Sequence, residues 1–269
     1  MPPIKLIATD IDGTLLNAQG VITERSLRAI RAAQEKGITV AIATGRFPEN
    51  AFLLLEDYGL RMPIIGVNGA RIVDENLREI SCHPMAPEAV QGTINVLMNA
   101  GSDFFVFGDH AICTATAQRK HHSELSQGDR MRKLGFRYYH GKEEVKDIVR
   151  QHAVYKFFVC DNVPLPIVRK ELASVPGIDL TQSWFNNIEI MPAGIDKGQG
   201  VRDLAASLGL SMDQVMTLGD QDNDISMLKA AGRGIAMGNA SEETKAAARF
   251  VTASYAEEGF AKALETYAL

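Results

Sequence analysis

The sequence is poor in cysteine and tryptophan and carries no excess of positive charge. Its 269 residues include three cysteines and one tryptophan, and the formal net charge is -5. Cys82, Cys113 and Cys160 are odd in number and far apart, which predicts reduced thiols in a cytoplasmic protein rather than a disulfide framework. The lack of a global basic field argues against a nucleic-acid partner.

Long apolar runs are also missing. No segment approaches the roughly 18 apolar residues that a membrane-spanning helix needs, so no membrane partner is expected. The apolar segment that ends at Thr9 is too short for the core of a signal peptide and has no small-residue cleavage site. Because the net charge is negative, a site for an anionic substrate must supply its own local positive charge. No feature predicts an oligomeric state.

What the sequence does contain is an alternation of short β-branched runs and helix-period segments at both ends of the chain. Strands are predicted at residues 5–9, 38–43, 64–67, 215–218 and 234–237, with helices among them. This alternation is typical of a parallel sheet with helices on its faces. We therefore predict an α/β core with a doubly wound, Rossmann-like parallel sheet.

A long middle segment interrupts this alternation. Strands at 104–107, 112–114, 155–160 and 188–191 are predicted among helices such as 87–100 and 142–150. That mixture predicts an α+β insertion with an antiparallel sheet. The expected organisation is one discontinuous core domain, residues 1–82 and 191–269, with residues 83–190 inserted as a second domain.

Four motifs fall at the ends of predicted strands or the starts of helices, where open parallel sheets bind ligands. They are Asp10-Ile11-Asp12-Gly13-Thr14, Thr44-Gly45-Arg46, Lys197, and Gly219-Asp220-Gln221-Asp222-Asn223-Asp224. Each motif alone fits an acidic turn, a helix N-cap or a solvated charge. All four in this order, each at such a position, indicate a functional site.

The residue types in these motifs suit phosphoryl transfer. Clustered carboxylates repel one another and stay ionised together only with a cation, and a hard ion such as Mg2+ takes oxygen ligands. Such an ion also screens the repulsion between an attacking carboxylate and a phosphate. A threonine hydroxyl and a lysine ammonium can hold the remaining phosphate oxygens, on which charge spreads in the transition state.

The set of motifs resembles the haloacid dehalogenase (HAD) superfamily of phosphatases, and within it the Cof-type branch, which carries a large C2-type cap inserted after the third strand. The first motif matches D-x-D-G-T and the last matches G-D-x-x-N-D, with the insertion between the second and third motifs. Asn68-Gly69-Ala70 stands where that branch has N-G-A, and the similarity extends to Gly234–Ala240. Glu257–Phe260 departs from the E-D-G-V that family members have near the C-terminus.

The resemblance implies a role for each catalytic residue. Asp10 would be the nucleophile that forms an aspartyl-phosphate, and Asp12 would protonate the leaving oxygen and later deprotonate water. Lys197 would neutralise Asp10 and the phosphate, and Thr44 would hydrogen-bond the transferring group.

The resemblance also implies the remaining site residues. The expected cofactor is Mg2+, with the ligands Asp10, Asp12 (through its backbone carbonyl), Asp220 and Asp224 (directly or through water). The residues expected to contact substrate are Arg46, Asn68, Gly69 and Asn223, with a bridge to the inserted domain as the alternative for Arg46 and orientation of Asp10 as the alternative for Asn223. Locally, the Asn68-Gly69 pair also fits an ordinary tight turn.

Three functions are compatible with these motifs. The predicted one is a Mg2+-dependent phosphatase for small phosphorylated metabolites such as sugar phosphates, in which the inserted domain excludes water and selects the leaving group. A phosphomutase would use similar motifs but return the phosphoryl group to substrate. A non-enzymatic phospho-acceptor module of the receiver type is disfavoured by the second carboxylate, Asp12, and by an insertion of about a hundred residues.

Overall fold

The chain folds into two compact units. The computed structural model describes residues 2–116, 120, 122–159, 164–182 and 186–269. The first unit, here called the core unit, runs up to Ser81 and resumes at Asp196–Leu269, and the second, the inserted unit, is Cys82–Ile195. Cys160, which was predicted to end a strand, lies outside the described residues.

The first segment of the core unit begins the sheet. Its elements are β1 (Leu6–Thr9), α1 (Glu24–Glu35), β2 (Thr39–Ala43), α2 (Pro48–Glu56), β3 (Ile64–Gly66), β4 (Arg71–Val73) and β5 (Glu79–Cys82). Thr23 caps α1, because its side chain accepts the backbone N–H of Ser26. Pro48 begins α2, where its missing N–H costs no helical hydrogen bond.

The inserted unit is an α+β layer structure. Its elements are α3 (Pro87–Asn99), β6 (Phe104–Gly108), β7 (Ala111–Thr114), α4 (His122–Lys133), β8 (Arg137–His140), α5 (Val145–Gln151), β9 (Val154–Val159), α6 (Leu165–Leu172), β10 (Ile178–Thr181) and β11 (Ile188–Pro192). The sheet order is β10-β11-β9-β6-β7-β8. Phe104, Val106, Phe157 and Ile190 lie in one apolar cluster, as the period of two along a strand requires.

One strand pair in the inserted unit corrects the expectation of an antiparallel sheet. β7 and β8 are parallel, with Ala111 opposite Arg137, whereas the pairs β6–β7, β6–β9, β9–β11 and β10–β11 are antiparallel. The reason is that α4 lies between β7 and β8 in the chain and carries it back across the sheet, so that β8 runs in the direction of β7.

The last segment of the chain completes the core sheet. Its elements are α7 (Lys197–Ser207), β12 (Val215–Gly219), α8 (Ile225–Ala230), β13 (Arg233–Ala236), α9 (Glu242–Ala247), β14 (Phe250–Val251) and α10 (Gly259–Tyr267). Within the described residues the order is β14-β13-β12-β1-β2-β3-β4-β5, parallel from β14 to β3, with β4 antiparallel to β3. The predicted doubly wound parallel sheet is confirmed.

The position of β1 determines where a ligand can bind. β1 pairs with β2 on one side and with β12 on the other, and the chain proceeds outward from it in both directions. Such a reversal of strand order opens a crevice at the carboxyl ends of the strands. Among the described helices, none combines the length and the apolar character that crossing a bilayer requires.

A buried ion pair joins α2 to β4 in the core unit. Arg71 Nη1 lies 2.7 Å from Glu49 Oε1, and both side chains are almost fully buried. Glu79, whose side chain is half exposed, lies farther away, with its carboxylate 3.9 Å from Arg71 Nε. The pair connects the helix that follows Arg46 with the strand that follows Gly69.

Replacing Glu49 by alanine should destabilise the core unit strongly. It would leave the Arg71 guanidinium buried without its 2.7 Å partner, and breaking a buried pair in this way costs about 3–5 kcal/mol. The free energy of unfolding from urea titration measures the effect. The matched control is Glu56→Ala, which removes the exposed Arg61–Glu56 pair and should cost about 0–1 kcal/mol. Equal costs for the two variants would contradict this prediction.

Candidate active site

The carboxyl end of β1 places Asp10 between two loops. Thr9, the last residue of β1, is in register with Ile42 of β2 and Leu218 of β12. The backbone N–H of Asp10 donates to the Leu218 carbonyl at 3.0 Å, which continues the ladder by one residue. The side chain of Asp10 therefore lies, nearly buried, at the switch point of the sheet.

Lys197 connects Asp10 to the acidic loop after β12. Its Nζ lies 2.6 Å from Asp10 Oδ1 and 2.7 Å from Asp224 Oδ1, and the side chain is 1% exposed. Asp196 caps α7 by accepting the backbone N–H of Gln199 at 2.8 Å, so the lysine is the first residue of a well-defined helix. The lysine thus comes from a rigid element rather than from a loop.

The Asp224 side chain bonds to the backbone of the loop that carries it. Its Oδ2 accepts the backbone N–H groups of Asp220 at 2.9 Å and of Gln221 at 3.0 Å. This local bonding competes with helix formation, and residues Asp222–Asp224 form a 3-10 turn, so that α8 begins only at Ile225. A side chain at Gly219 would lie 2.4 Å from Asp224 Cβ, which explains why the strand ends in glycine.

Asp220 is held by neutral donors. Its Oδ1 accepts the Thr14 hydroxyl at 2.8 Å, and its Oδ2 accepts Gln221 Nε2 at 3.1 Å and Asn239 Nδ2 at 3.2 Å. Gly13 has φ +85, and a Cβ on it would lie 2.3 Å from Asp220 Oδ2. The loop after β1 can therefore approach Asp220 only because it has glycine at this position.

In this cluster three buried carboxylates, those of Asp10, Asp220 and Asp224, lie near one ammonium group, that of Lys197. Burial raises the pKa of Asp10 to about 8, with Lys197 opposing the rise and the Asp224 and Asp220 charges adding to it. Burial and the Asp224 charge raise the pKa of Asp220 to about 6. Burial opposes the charged form of Lys197, but the Asp10 and Asp224 carboxylates raise its pKa above the ordinary value.

The three buried carboxylates could hold a metal ion. One oxygen each from Asp10, Asp220 and Asp224 lie within 4.8 Å of one another. All three donors are carboxylate oxygens, which suit a hard divalent cation, and such a cation would supply the positive charge that Lys197 alone does not. The Asp12 side chain is not among these three donors.

Asp12 instead pairs with Arg46. The guanidinium donates to both carboxylate oxygens, from Nε to Oδ2 at 2.9 Å and from Nη2 to Oδ1 at 2.5 Å. The Asp12 side chain is 59% exposed and that of Arg46 25%. Both residues were predicted as site residues, but their pairing was not.

Thr44, Asn68 and Asn223 are linked across the same edge of the sheet. The buried Thr44 accepts the Asn68 backbone N–H on its carbonyl at 2.9 Å and the Arg46 backbone N–H on its hydroxyl at 3.2 Å. Asn68 has φ 52, a left-handed conformation that asparagine tolerates. Its Oδ1 accepts Asn223 Nδ2 at 3.3 Å.

Gly69 lies against the start of α7. A Cβ on Gly69 would be 2.1 Å from the carbonyl oxygen of Asp196. The structure therefore shows close backbone packing at this glycine, and that packing sets the loop after β3 against the helix that carries Lys197.

Three residues that contact Asp220 had no predicted role: Thr14, Gln221 and Asn239. Thr14 and Gln221 lie inside recognised motifs. Asn239 lies in the segment Gly234–Ala240, whose similarity to the Cof-type branch was the one signal that could have identified it. No local pattern connects it with Asp220.

The fold and the site together define a class, a doubly wound α/β protein with a buried Asp–Lys–Asp cluster at the end of its central strand. Comparison of the sequence with known protein families identifies the family of this chain. A model of the haloacid dehalogenase-like hydrolases matches residues 7–264, so the chain belongs to that family. The predicted membership is confirmed.

Known relatives agree with this assignment. The 5-amino-6-(5-phospho-D-ribitylamino)uracil phosphatase YcsE of Bacillus subtilis is 31% identical over 266 residues, which cover 99% of this chain and 96% of the relative. The HMP-PP phosphatase of Klebsiella pneumoniae is 31% identical over 247 residues, 90% and 87% of the two chains.

Solved structures show the same fold. A haloacid dehalogenase-like hydrolase from B. subtilis superposes with a TM-score of 0.84 at 27% identity, covering 97% of this chain and 99% of the other. A sugar phosphatase of HAD subclass IIB gives a TM-score of 0.81 at 26% identity and covers 98% of both chains.

Binding of a divalent cation should compete with protons at this cluster. Because the pKa values of Asp10 and Asp220 are raised to about 8 and about 6, both carboxylates become fully ionised only above pH 8. The affinity for Mg2+ should therefore fall as the pH falls from 8 to 6, with release of about one proton per ion bound near pH 7. Calorimetry in two buffers of different ionisation enthalpy measures both quantities.

Two variants make this test specific. Asp220→Asn removes a candidate ligand and should abolish Mg2+ binding. Asp222→Asn changes an exposed carboxylate in the same loop and should leave the affinity and its pH dependence unchanged. A Mg2+ affinity that does not vary between pH 6 and 8 would contradict the prediction.

Proposed function

We propose that this enzyme is a Mg2+-dependent phosphatase that hydrolyses small phosphorylated metabolites through an aspartyl-phosphate on Asp10. The observation that carries the proposal is the Lys197 ammonium, which bonds Asp10 Oδ1 at 2.6 Å and Asp224 Oδ1 at 2.7 Å beside a third buried carboxylate. The names of the relatives, which include a uracil phosphatase, an HMP-PP phosphatase and a sugar phosphatase, support the same class of reaction.

Asp10 is suited to nucleophilic attack. Among the hydrogen bonds of the described residues, its carboxylate accepts only that of Lys197, on Oδ1, which leaves Oδ2 to attack phosphorus. The P–O bond to the substrate oxygen breaks as the Oδ2–P bond forms, and water later cleaves the acyl phosphate to release inorganic phosphate. When bound, Mg2+ supplies the charge that screens the carboxylate from the phosphate.

Lys197 and Thr44 are the proposed partners of the transferring group. The ammonium is already buried and charged beside the nucleophile, so no further reorganisation is needed as charge develops on the phosphate oxygens. Thr44 is buried in the next loop along the sheet edge and presents a hydroxyl. Both would act by electrostatic stabilisation.

Asp12 is the proposed acid and base. It would give a proton to the leaving oxygen and then take one from the attacking water. Arg46 takes one lone pair on each of its two carboxylate oxygens, so release of the guanidinium from at least one oxygen would open that position to a proton. Substrate phosphate is the partner we propose for the displaced guanidinium, because an arginine fork binds two phosphate oxygens as readily as a carboxylate.

The remaining assignments complete the proposal. Asp220 and Asp224 would bind Mg2+ with Asp10 and the Asp12 carbonyl, and Asn68, Gly69 and Asn223 would lie near the substrate. Residues 83–190 would be the inserted domain that selects the leaving group. The substrate class is a small phosphomonoester such as a sugar phosphate, and the reaction would take place in the cytoplasm. Screening a panel of phosphorylated sugars, sugar alcohols and nucleotides would identify the substrate.

Asp10→Asn should abolish phosphatase activity. An amide oxygen is too weak a nucleophile to form the acyl phosphate, so hydrolysis of p-nitrophenyl phosphate should fall to background with Mg2+ present. Asp222→Asn is the matched control and should retain full activity. Near-full activity of Asp10→Asn would contradict the mechanism. If the unsubstituted enzyme converted a sugar phosphate into its isomer instead of releasing free phosphate, the enzyme would be a phosphomutase.

Asp12→Asn should separate the two half-reactions. Turnover should fall by about 10²–10⁴-fold, because the water that attacks the acyl phosphate loses its base. Nitrophenolate leaves without a proton, so the variant should still release it in a burst equal to the enzyme concentration. Mg2+ affinity should be unchanged, since the side chain is not one of the three clustered carboxylates. A variant with neither burst nor Mg2+ binding would show that Asp12 has another role.

A further inference from the structure

Asn239 joins three separate segments of the core unit. Its Nδ2 donates to the Gly13 carbonyl at 2.9 Å and to Asp220 Oδ2 at 3.2 Å. Its Oδ1 accepts the backbone N–H of Tyr255 at 3.0 Å. These partners lie in the loop after β1, the loop after β12 and the segment before α10.

The backbone around Asn239 is fixed independently of its side chain. The Met237 N–H donates to the Gly219 carbonyl at 3.0 Å, and the Gly238 N–H donates to the Ala253 carbonyl at 3.1 Å. A Cβ on Gly238 would lie 2.6 Å from the backbone nitrogen of Ser254, so the two segments are in close contact. The amide of Asn239 is therefore presented to Asp220 by a loop that is already in place.

The donors around Asp220 differ in kind from those around the other two buried carboxylates. Asp10 and Asp224 are bonded to the Lys197 ammonium, whereas Asp220 is bonded to a hydroxyl and two amides. Neutral donors fix the orientation of a carboxylate without cancelling its charge. In the described part of the chain no cationic group contacts Asp220, so its negative charge is available for a divalent cation.

We propose that Asn239 is a positioning residue for Asp220 and, through it, for the divalent-cation site. This inference rests on the proposed function. An asparagine suits the position because one amide supplies a donor toward Asp220 and an acceptor toward Tyr255. An aspartate there would set a carboxylate oxygen against the Gly13 carbonyl and the Asp220 carboxylate, which are both acceptors. An apolar side chain would leave the Asp220 carboxylate freer to rotate.

The test compares Mg2+ binding to the intact chain by calorimetry in the absence of substrate. Asn239→Ala should weaken the Mg2+ affinity about 10–100-fold, the usual cost of removing an outer partner of a metal ligand. Asn239→Leu keeps the branched shape of the side chain without its donor and acceptor and should show the same loss. Asn239 is exposed, so neither variant removes a core contact, but both lose its three hydrogen bonds and should lower the melting temperature without Mg2+ by a small and similar amount. With p-nitrophenyl phosphate, kcat at saturating Mg2+ should stay close to that of the unsubstituted enzyme.

A neighbouring variant distinguishes positioning from a general loosening of the loop. Ser254→Ala breaks the Ser254–Glu257 hydrogen bond of 3.0 Å beside Tyr255 without touching Asp220, and should leave Mg2+ affinity unchanged. Equal losses in Ser254→Ala and Asn239→Ala, or unchanged affinity in Asn239→Leu, would overturn the role of Asn239 and leave the phosphatase proposal intact. Failure of the unsubstituted enzyme to bind Mg2+ would overturn both.

Discussion

A buried ammonium group between two carboxylates is the interaction on which the site depends. Lys197 and Asp10 are 187 positions apart in the chain, yet their charged atoms lie 2.6 Å apart. Buried charges are tolerated only when they are paired and hydrogen-bonded, and Lys197 provides that pairing for Asp10 and Asp224 together. Asp220 is left with neutral partners, and this imbalance makes the same cluster suitable for a divalent cation.

Close backbone contact is the constraint that makes this arrangement possible. A Cβ on Gly13, Gly69 or Gly219 would lie within 2.4 Å of Asp220 Oδ2, the Asp196 carbonyl oxygen or Asp224 Cβ, respectively, so each of these close approaches requires glycine. The carboxylates are consequently placed by tightly packed backbone and by a capped helix. Such preorganisation means that little structure has to change when charge develops during a reaction.

Two aspartates of one motif experience opposite environments. Asp10 is buried beside a lysine that is itself buried, and Asp12, two residues later, is half exposed beside an arginine that solvent can reach. A difference of this kind lets neighbouring carboxyl groups take different parts in one reaction. The exposed Asp12–Arg46 pair can exchange partners at small cost, whereas the buried Asp10–Lys197 pair cannot. This difference agrees with the proposal that Asp10 is a fixed nucleophile and Asp12 a more mobile acid and base.

The sequence by itself determined the doubly wound core, because buried parallel strands are continuous apolar runs and their acidic ends stand out against them. It did not indicate β8 or β10, which are short and half exposed, or the parallel β7–β8 pair. Only the tertiary structure decided that Arg46 holds Asp12 and that Asn239 holds Asp220. The reason is physical: a hydrogen bond between side chains from different loops depends on how the loops pack and leaves no periodic pattern in the chain.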